Sequence, residues 1–85
     1  MGERPHQLKE IYWRSRRGML ELELKLIPFV RDCFEELSSE EQVTYREILQ
    51  EEDWQIFDWL HGRSIPHKPQ ITRLIERIIA HRGRL

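Results

Sequence analysis

The stretch best suited to chemistry is Arg17-Gly18-Met19-Leu20-Glu21, which brings a cation, a bare backbone and a carboxylate into one short segment. A glycine within a helical pattern costs roughly 1 kcal/mol relative to alanine, so it commonly marks a helix end or a close backbone approach. The helix dipole favours Arg16 and Arg17 at the end of one helix and Glu21 at the start of the next. Two interpretations are open: a docking corner for a partner, or a solvated helix end with Gly18 as its C-cap.

Other reactive side chains are not arranged for catalysis. The histidines are scattered and no cysteine pair or HExxH spacing accompanies them, so no metal site is predicted; they are His6, His61, His67 and His81. The single Cys33 has apolar and acidic neighbours, which predicts a small buried residue rather than a nucleophile. Four isolated glycines do not form a phosphate-binding loop. We therefore expect no catalytic residue and no stably bound cofactor.

Size and charge favour a binding protein. Eighty-five residues suggest one domain spanning 1–85, with a core at about 6–82 and no room for a deep substrate cavity. A net charge of -1 argues against nucleic-acid binding. A basic face near the C-terminus is expected to be solvated, with phosphate contact as the alternative; it comprises Arg73, Arg77, Arg82 and Arg84. The chain has no apolar run of membrane-spanning length and no targeting segment, so a cytoplasmic protein is expected.

The first predicted helix covers residues 6–17. Leu8, Ile11 and Tyr12 follow the i, i+3, i+4 spacing of one apolar stripe. Trp13 lies about 100° from Tyr12, at the edge of that stripe. We predict that both aromatic rings pack in the core, with a half-exposed tryptophan on a binding surface as the alternative.

The segment from Leu20 to Leu37 fits two patterns. Leucines alternate with charged residues from 20 to 26, which suggests a strand, whereas a helical stripe continues over five turns. That stripe comprises Leu20, Leu24, Ile27, Val30, Phe34 and Leu37. Leu, Glu and Lys form helices well and strands poorly, so we predict a helix that Pro28 kinks without ending.

Three further helices complete a predicted all-α bundle of about five helices. Ser38-Ser39-Glu40-Glu41 is a capping box that opens the third helix, whose apolar side is Val43, Tyr45, Ile48 and Leu49. Asp53 is the expected N-cap of a short aromatic helix containing Trp54, Ile56, Phe57, Trp59 and Leu60 and ending at Gly62. After a loop to Pro69, the last helix carries Ile71, Leu74, Ile75, Ile78 and Ile79.

The chain resembles a known family at several points in the right order. Trp13 and the segment 16–22 look like the signature of the small helical flavinylation factors of succinate dehydrogenase, called the SdhE type in bacteria. Ile27-Pro28-Phe29, Leu37-Ser38 and Asp53 with the segment 56–60 resemble its later motifs, so the resemblance covers residues 8–79. There are three departures from the family pattern: Glu23 stands in place of a usual aspartate, Trp54 and Gln55 stand in place of a frequent proline and aspartate, and the C-terminal tail matches no family pattern.

The resemblance implies a non-enzymatic assembly factor, or chaperone. Its partner would be the flavoprotein subunit of succinate dehydrogenase, with that of fumarate reductase as a further candidate. It would promote covalent attachment of FAD to this subunit, and the FAD would belong to the client. The implied partner-binding residues are Trp13, Arg16, Arg17, Gly18, Met19, Glu21 and Glu23. A bacterial source and a monomeric free state are expected. The alternative is a helical adaptor or regulator unrelated to flavin.

Overall fold

Five helices, expected from the apolar spacing, make up the computed structural model, which describes the backbone of residues 3–82 and the side chains of residues 8–82. They are α1 (Glu3–Arg14), α2 (Leu20–Cys33), α3 (Ser39–Leu49), α4 (Asp53–Leu60) and α5 (Pro69–Ala80). A 3₁₀ turn, Phe34–Glu36, follows α2. No strand occurs among residues 3–82, so the all-α prediction is confirmed and the strand alternative for residues 20–26 is wrong.

The central helix α2 buries a different face from the one predicted. Leu22 and Leu26 are fully buried, whereas Leu20 and Leu24 are each 65% exposed, so the predicted stripe is wrong over its first two turns. The pair Leu20 and Leu24 is offset by two residues from the pair Leu22 and Leu26, so the two pairs point about 200° apart. Helix α2 therefore has two apolar faces. Later members of the stripe, including Val30 and Phe34, are buried as expected. The helix continues through Pro28 but ends at Cys33.

The core lies between α2 and the helices on either side of it. Helix α2 packs against α1, α4 and α5, and α5 also packs against α3. Fully buried side chains are contributed by all five helices; the largest are Tyr45, Phe29, Ile11, Leu22, Leu26, Ile48, Ile56, Ile71, Leu74 and Ile78. In α3, α4 and α5, the residues predicted on apolar faces that are instead exposed include Val43, Trp54 and Ile79. At 100° per residue, Val43 and Trp54 lie opposite the buried residues of α3 and α4, and only Ile79 lies at the edge of a buried face, that of α5.

Two of the helix ends predicted from local chemistry form as expected, and one is an exception. Ser38 Oγ accepts the Glu41 backbone N–H at 3.1 Å, and Glu41 Oε1 accepts the Ser38 N–H at 2.9 Å, which confirms the capping box. These bonds, with Arg77 nearby, lower the pKa of Glu41. Gly62 has a positive φ of 71° just after α4, as a helix-ending glycine should. The exception is Asp53, which begins α4 while Glu52 takes the N-cap position without a side-chain bond.

We expect Ser38→Ala to destabilise the chain by about 1 kcal/mol, because it leaves a helix N–H without its acceptor. For a chain of this size, that corresponds to a decrease in Tm of roughly 4–8 °C. Thermal unfolding followed by circular dichroism measures the change. Ser39→Ala is the matched control, because Ser39 is exposed and lies inside the helix. Equal Tm values for the two variants would contradict a stabilising role for the cap.

Candidate functional site

The corner between α1 and α2 consists of residues 15–19, which lie outside both helices. Helix α1 begins earlier than predicted and ends at Arg14, so Arg16 and Arg17 are not in its last turn. Gly18 lies four residues beyond Arg14, which excludes it as the C-cap of α1. Met19 is the N-cap residue of α2. Its backbone is extended, and its side chain makes no capping hydrogen bond to the helix. The corner is therefore held mainly by contacts to other parts of the fold.

A buried polar pair fixes the inner side of the corner. Ser15 is fully buried; its Oγ donates to Ile11 O at 2.8 Å and lies 2.6 Å from Tyr45 Oη. Because the Ser15 hydroxyl hydrogen is used towards Ile11, Tyr45 is the donor in the second bond. Burial raises the pKa of Tyr45, although the Ser15 bond opposes the shift. The pair ties the end of α1 to α3.

Arg17 fixes the corner from the other side. Its Nε donates to Asp53 Oδ1 at 2.7 Å, its Nη1 to Leu49 O at 2.9 Å and its Nη2 to Glu51 O at 2.7 Å. The Arg17 side chain is 16% exposed and that of Asp53 is 32% exposed. The expected solvent-facing cation is thus paired within the chain, and the planar guanidinium holds the corner against the α3–α4 connection. Asp53 binds Arg17 instead of capping α4.

Gly18 is exposed next to this ion pair. Its φ is not in the left-handed region, which Gly62 occupies. A Cβ built on Gly18 would approach Asp53 Oδ2 to 3.7 Å, an ordinary van der Waals distance. Neither backbone conformation nor internal packing therefore requires a glycine here. What glycine does provide is an unobstructed backbone at the surface.

The remaining residues of the predicted site divide between surface and core. Glu21 is exposed in the first turn of α2, whereas Glu23 is half-buried. Because two positions along a helix differ by about 200°, these carboxylates face different sides of α2. Met19 packs against the chain's own core, so its side chain is only partly available to a partner.

The aromatic residues near the corner are on the surface. Trp13 is 60% exposed and Tyr12 is 38% exposed, so the prediction that both pack in the core is wrong. The Arg16 guanidinium lies 5.6 Å from the centroid of the Trp13 ring, a cation–π contact that limits the freedom of both side chains. Trp13, Arg16, Gly18 and Glu21 therefore give this end of the molecule a mixed surface with one aromatic anchor.

A second side-chain cluster was not anticipated from the sequence. Cys33 is buried as predicted, but its Sγ lies 3.6 Å from His81 Nδ1, and His81 Nε2 lies 2.9 Å from Asp32 Oδ2. With its hydrogen on Nε2, His81 donates to Asp32 and can accept from the thiol. The sequence neighbours of Cys33 are apolar and acidic, and the fold adds a histidine from beyond the end of α5. The cluster joins the ends of α2 and α5.

Other predicted features of the surface are simpler. Among residues 8–82, no group of three or more His, Cys, Asp and Glu side chains is placed to hold a metal ion. None of the helices in the described part of the chain is long and apolar enough to cross a membrane. In the expected basic face, Arg77 pairs with Glu41 at 3.0 Å, whereas Arg84 lies outside the described residues.

Comparison with known proteins identifies the family. A family model described as flavinator of succinate dehydrogenase matches residues 9–82. The FAD assembly factor SdhE of Pseudomonas aeruginosa is 40% identical over 73 residues, covering 86% of this chain and 87% of that protein. The SdhE proteins of Vibrio vulnificus and Vibrio cholerae are 37% and 33% identical, over 84% and 88% of this chain and 83% and 87% of their own lengths. Because the match covers residues 9–82, which include the corner, this protein belongs to the family of flavinators of succinate dehydrogenase.

Proposed function

We propose that this chain is an assembly factor that binds the flavoprotein subunit of succinate dehydrogenase and promotes its covalent attachment of FAD. The relatives are named FAD assembly factors, and the matching family model is described as a flavinator of succinate dehydrogenase. The flavoprotein subunit of fumarate reductase is a further candidate client. The free chain would be a cytoplasmic monomer that holds no FAD stably and has no catalytic residue of its own.

One observation carries the assignment of the binding site. Gly18 is exposed at a fixed corner whose fold does not require a glycine. The close approach of a partner's backbone explains the missing side chain. Glu21, one helical turn further on, is free to offer a carboxylate to a donor on the client. Arg17 then acts by holding the corner in position, and Trp13 with Arg16 extends the contact.

The proposed mechanism leaves the chemistry to the client. In this mechanism the FAD would become covalently attached to a histidine of the flavoprotein subunit, and the factor would hold the client so that histidine and flavin meet in a reactive geometry. Orientation of two reacting groups can lower a barrier by several kcal/mol without any catalytic side chain on the factor. The prepositioned corner suits that role, because a rigid surface loses little conformational entropy when it binds.

The test compares covalent flavin in cells that have and lack this chain. The flavoprotein subunit is separated on a denaturing gel, and the flavin that remains bound is detected by its fluorescence. We expect the flavin band to weaken strongly without the chain and to return when it is supplied. An unchanged band would reject the proposed function and favour a helical adaptor unrelated to flavin, which predicts a stable partner but no change in covalent flavin.

Glu21→Ala is expected to reduce flavinylation when the factor is limiting. Loss of a hydrogen bond that a carboxylate accepts from its partner costs about 1.5–3 kcal/mol, or roughly a tenfold to hundredfold decrease in affinity. Folding should be unaffected, because Glu21 is exposed. Glu76→Ala is a matched control, since Glu76 is an exposed glutamate on α5. Normal flavinylation by the Glu21 variant would argue against a role for this carboxylate.

A further inference from the structure

A groove runs beside α2, next to the corner but distinct from it. It has a volume of about 580 Å³ and lies between α2 and the C-terminal ends of α4 and α5. The side chains that line it and carry the argument are Glu21, Leu24, Lys25, Arg31, His81 and Arg82. Glu21 lines the groove and lies only two residues beyond the corner, so a partner bound at the corner would lie at the entrance of the groove.

The floor of the groove is apolar. Leu24 lines it and is 65% exposed, although Leu22 and Leu26 on the same helix are fully buried. Pro28 lies one turn further along the same side of α2, and Leu60 contributes from the end of α4. When a partner covers exposed apolar groups that line a concave surface, the free energy of the system decreases. The floor therefore suits a ligand with apolar side chains.

Cations surround this floor. The cations that line the groove are Lys25, Arg31 and Arg82, and Glu21 is the one carboxylate among its lining residues. Asp32 pairs with Arg31 at 2.8 Å, but the Asp32 side chain is only 8% exposed, whereas that of Arg31 is 54% exposed. The Asp32 bond also raises the pKa of Arg31. The groove thus presents positive charge in a chain whose net charge is -1.

The charge is not evenly distributed along the groove. Glu21 is ten residues from Arg31 on α2, which corresponds to about 15 Å of helix. Arg31 and Arg82 lie at the far end, and Lys25 is between the ends, where its Nζ also donates to Ile79 O at 3.2 Å. Spread over this length, the cations match several carboxylates on a chain segment better than one small anion. An extended segment of four or five residues would span the distance.

We propose that this groove binds an acidic segment of the client flavoprotein, with apolar side chains on the leucine floor and carboxylates beside Arg31 and Arg82. The proposal rests on the proposed function, because it takes the flavoprotein subunit as the partner. The corner and the groove would then form one continuous surface joined at Glu21. Opposite charges would speed the encounter and fix the direction of the bound segment.

A pair of charge-reversal variants tests the proposal. The groove variant is Arg31→Glu with Arg82→Glu. The control is Arg73→Glu with Arg77→Glu on α5, which changes the net charge equally and also breaks one exposed ion pair, that of Arg77 with Glu41. Affinity for the purified flavoprotein subunit is measured at several salt concentrations. We expect at least a tenfold loss for the groove variant, with a weaker salt dependence, and a change below about twofold for the control.

Each outcome decides the proposal. Equal affinities for the wild type and the groove variant would overturn it. A wild-type chain that does not bind the subunit at all would reject the proposed function as well, a result distinguishable from loss confined to the variant. If circular dichroism shows that the double variant is unfolded, Arg82→Glu and Leu24→Ser are tested singly, with the same expected direction of loss. Sedimentation that shows a wild-type dimer and a monomeric groove variant would assign the groove to a second copy and overturn the proposal.

Discussion

Gly18→Arg is expected to abolish flavinylation of the client while leaving the factor folded. The backbone at Gly18 tolerates a side chain, since φ is not left-handed and a Cβ would lie 3.7 Å from Asp53 Oδ2. An arginine can extend from this exposed position into solvent without displacing the core. A bound client would meet its bulk directly. A clash that costs about 3 kcal/mol lowers affinity by roughly a hundredfold.

Gly18 and Gly62 both lie beside helices in the described part of the chain, and substitutions of the two provide a matched comparison for this variant. Gly18→Ala should bind the client with intermediate affinity and keep the wild-type Tm. Gly62→Ala should do the reverse: its positive φ of 71° is strained for alanine, so it should lower stability by about 1 kcal/mol and leave flavinylation normal below the Tm. Covalent flavin on a denaturing gel and thermal unfolding measure the two effects. A Gly18→Arg variant that unfolds, or that supports flavinylation normally, would remove the contact from Gly18.

Arg17→Ala is expected to produce the largest loss of stability among changes at the corner. It removes three hydrogen bonds and leaves Asp53 without its cation. Hydrogen bonds to charged groups contribute about 1.5–3 kcal/mol, so we expect a loss of roughly 2–3 kcal/mol and a decrease in Tm of about 10 °C or more. Arg17→Lys should recover little, because an ammonium group cannot reach three acceptors in the planar arrangement of a guanidinium.

Arg46→Ala is the control for an ordinary ion pair. Arg46 and Glu10 are 3.3 Å apart, and their side chains are 30% and 50% exposed, so the expected loss is about 0–1 kcal/mol. Thermal unfolding of the three variants is compared with client affinity measured well below each Tm. We expect reduced affinity for both Arg17 variants, because the corner loses its fixed position. Similar Tm values for Arg17→Ala and the control would show that the internal bonds do not hold the corner.

Short-range sequence patterns determine most of the secondary structure of this protein. The helical spacing of apolar side chains predicted five helices. Ser38 and Glu41 predicted a helix start, and Gly62 predicted a helix end. These features depend on backbone geometry and on residues at most four positions apart, which a sequence shows directly. The family motifs around Gly18 also identified the corner from the sequence alone. Its assignment as the client-binding site stays a prediction until the variants are measured.

The tertiary structure decided which sides of these helices face inwards. Helix α2 has leucines on two sides, and the packing of α1, α4 and α5 buries Leu22 and Leu26 while leaving Leu20 and Leu24 at the surface. Periodicity cannot choose between two apolar faces, because burial depends on what packs against each of them. For the same reason the sequence could not predict the groove, because Leu24, which lines it, was expected in the core.

Long-range pairing was equally beyond the sequence. Arg17 binds Asp53 from 36 positions away, and His81 contacts Cys33 from 48 positions away. Such partners are brought together by the fold as a whole, and a charged residue in a sequence gives no sign of whether its counter-ion is internal or on a partner. The sequence by itself therefore determined the helices and the corner. Gly18 and Glu21 are exposed as the sequence predicted, and only the packed structure showed that Arg17 holds the corner from within instead of facing solvent.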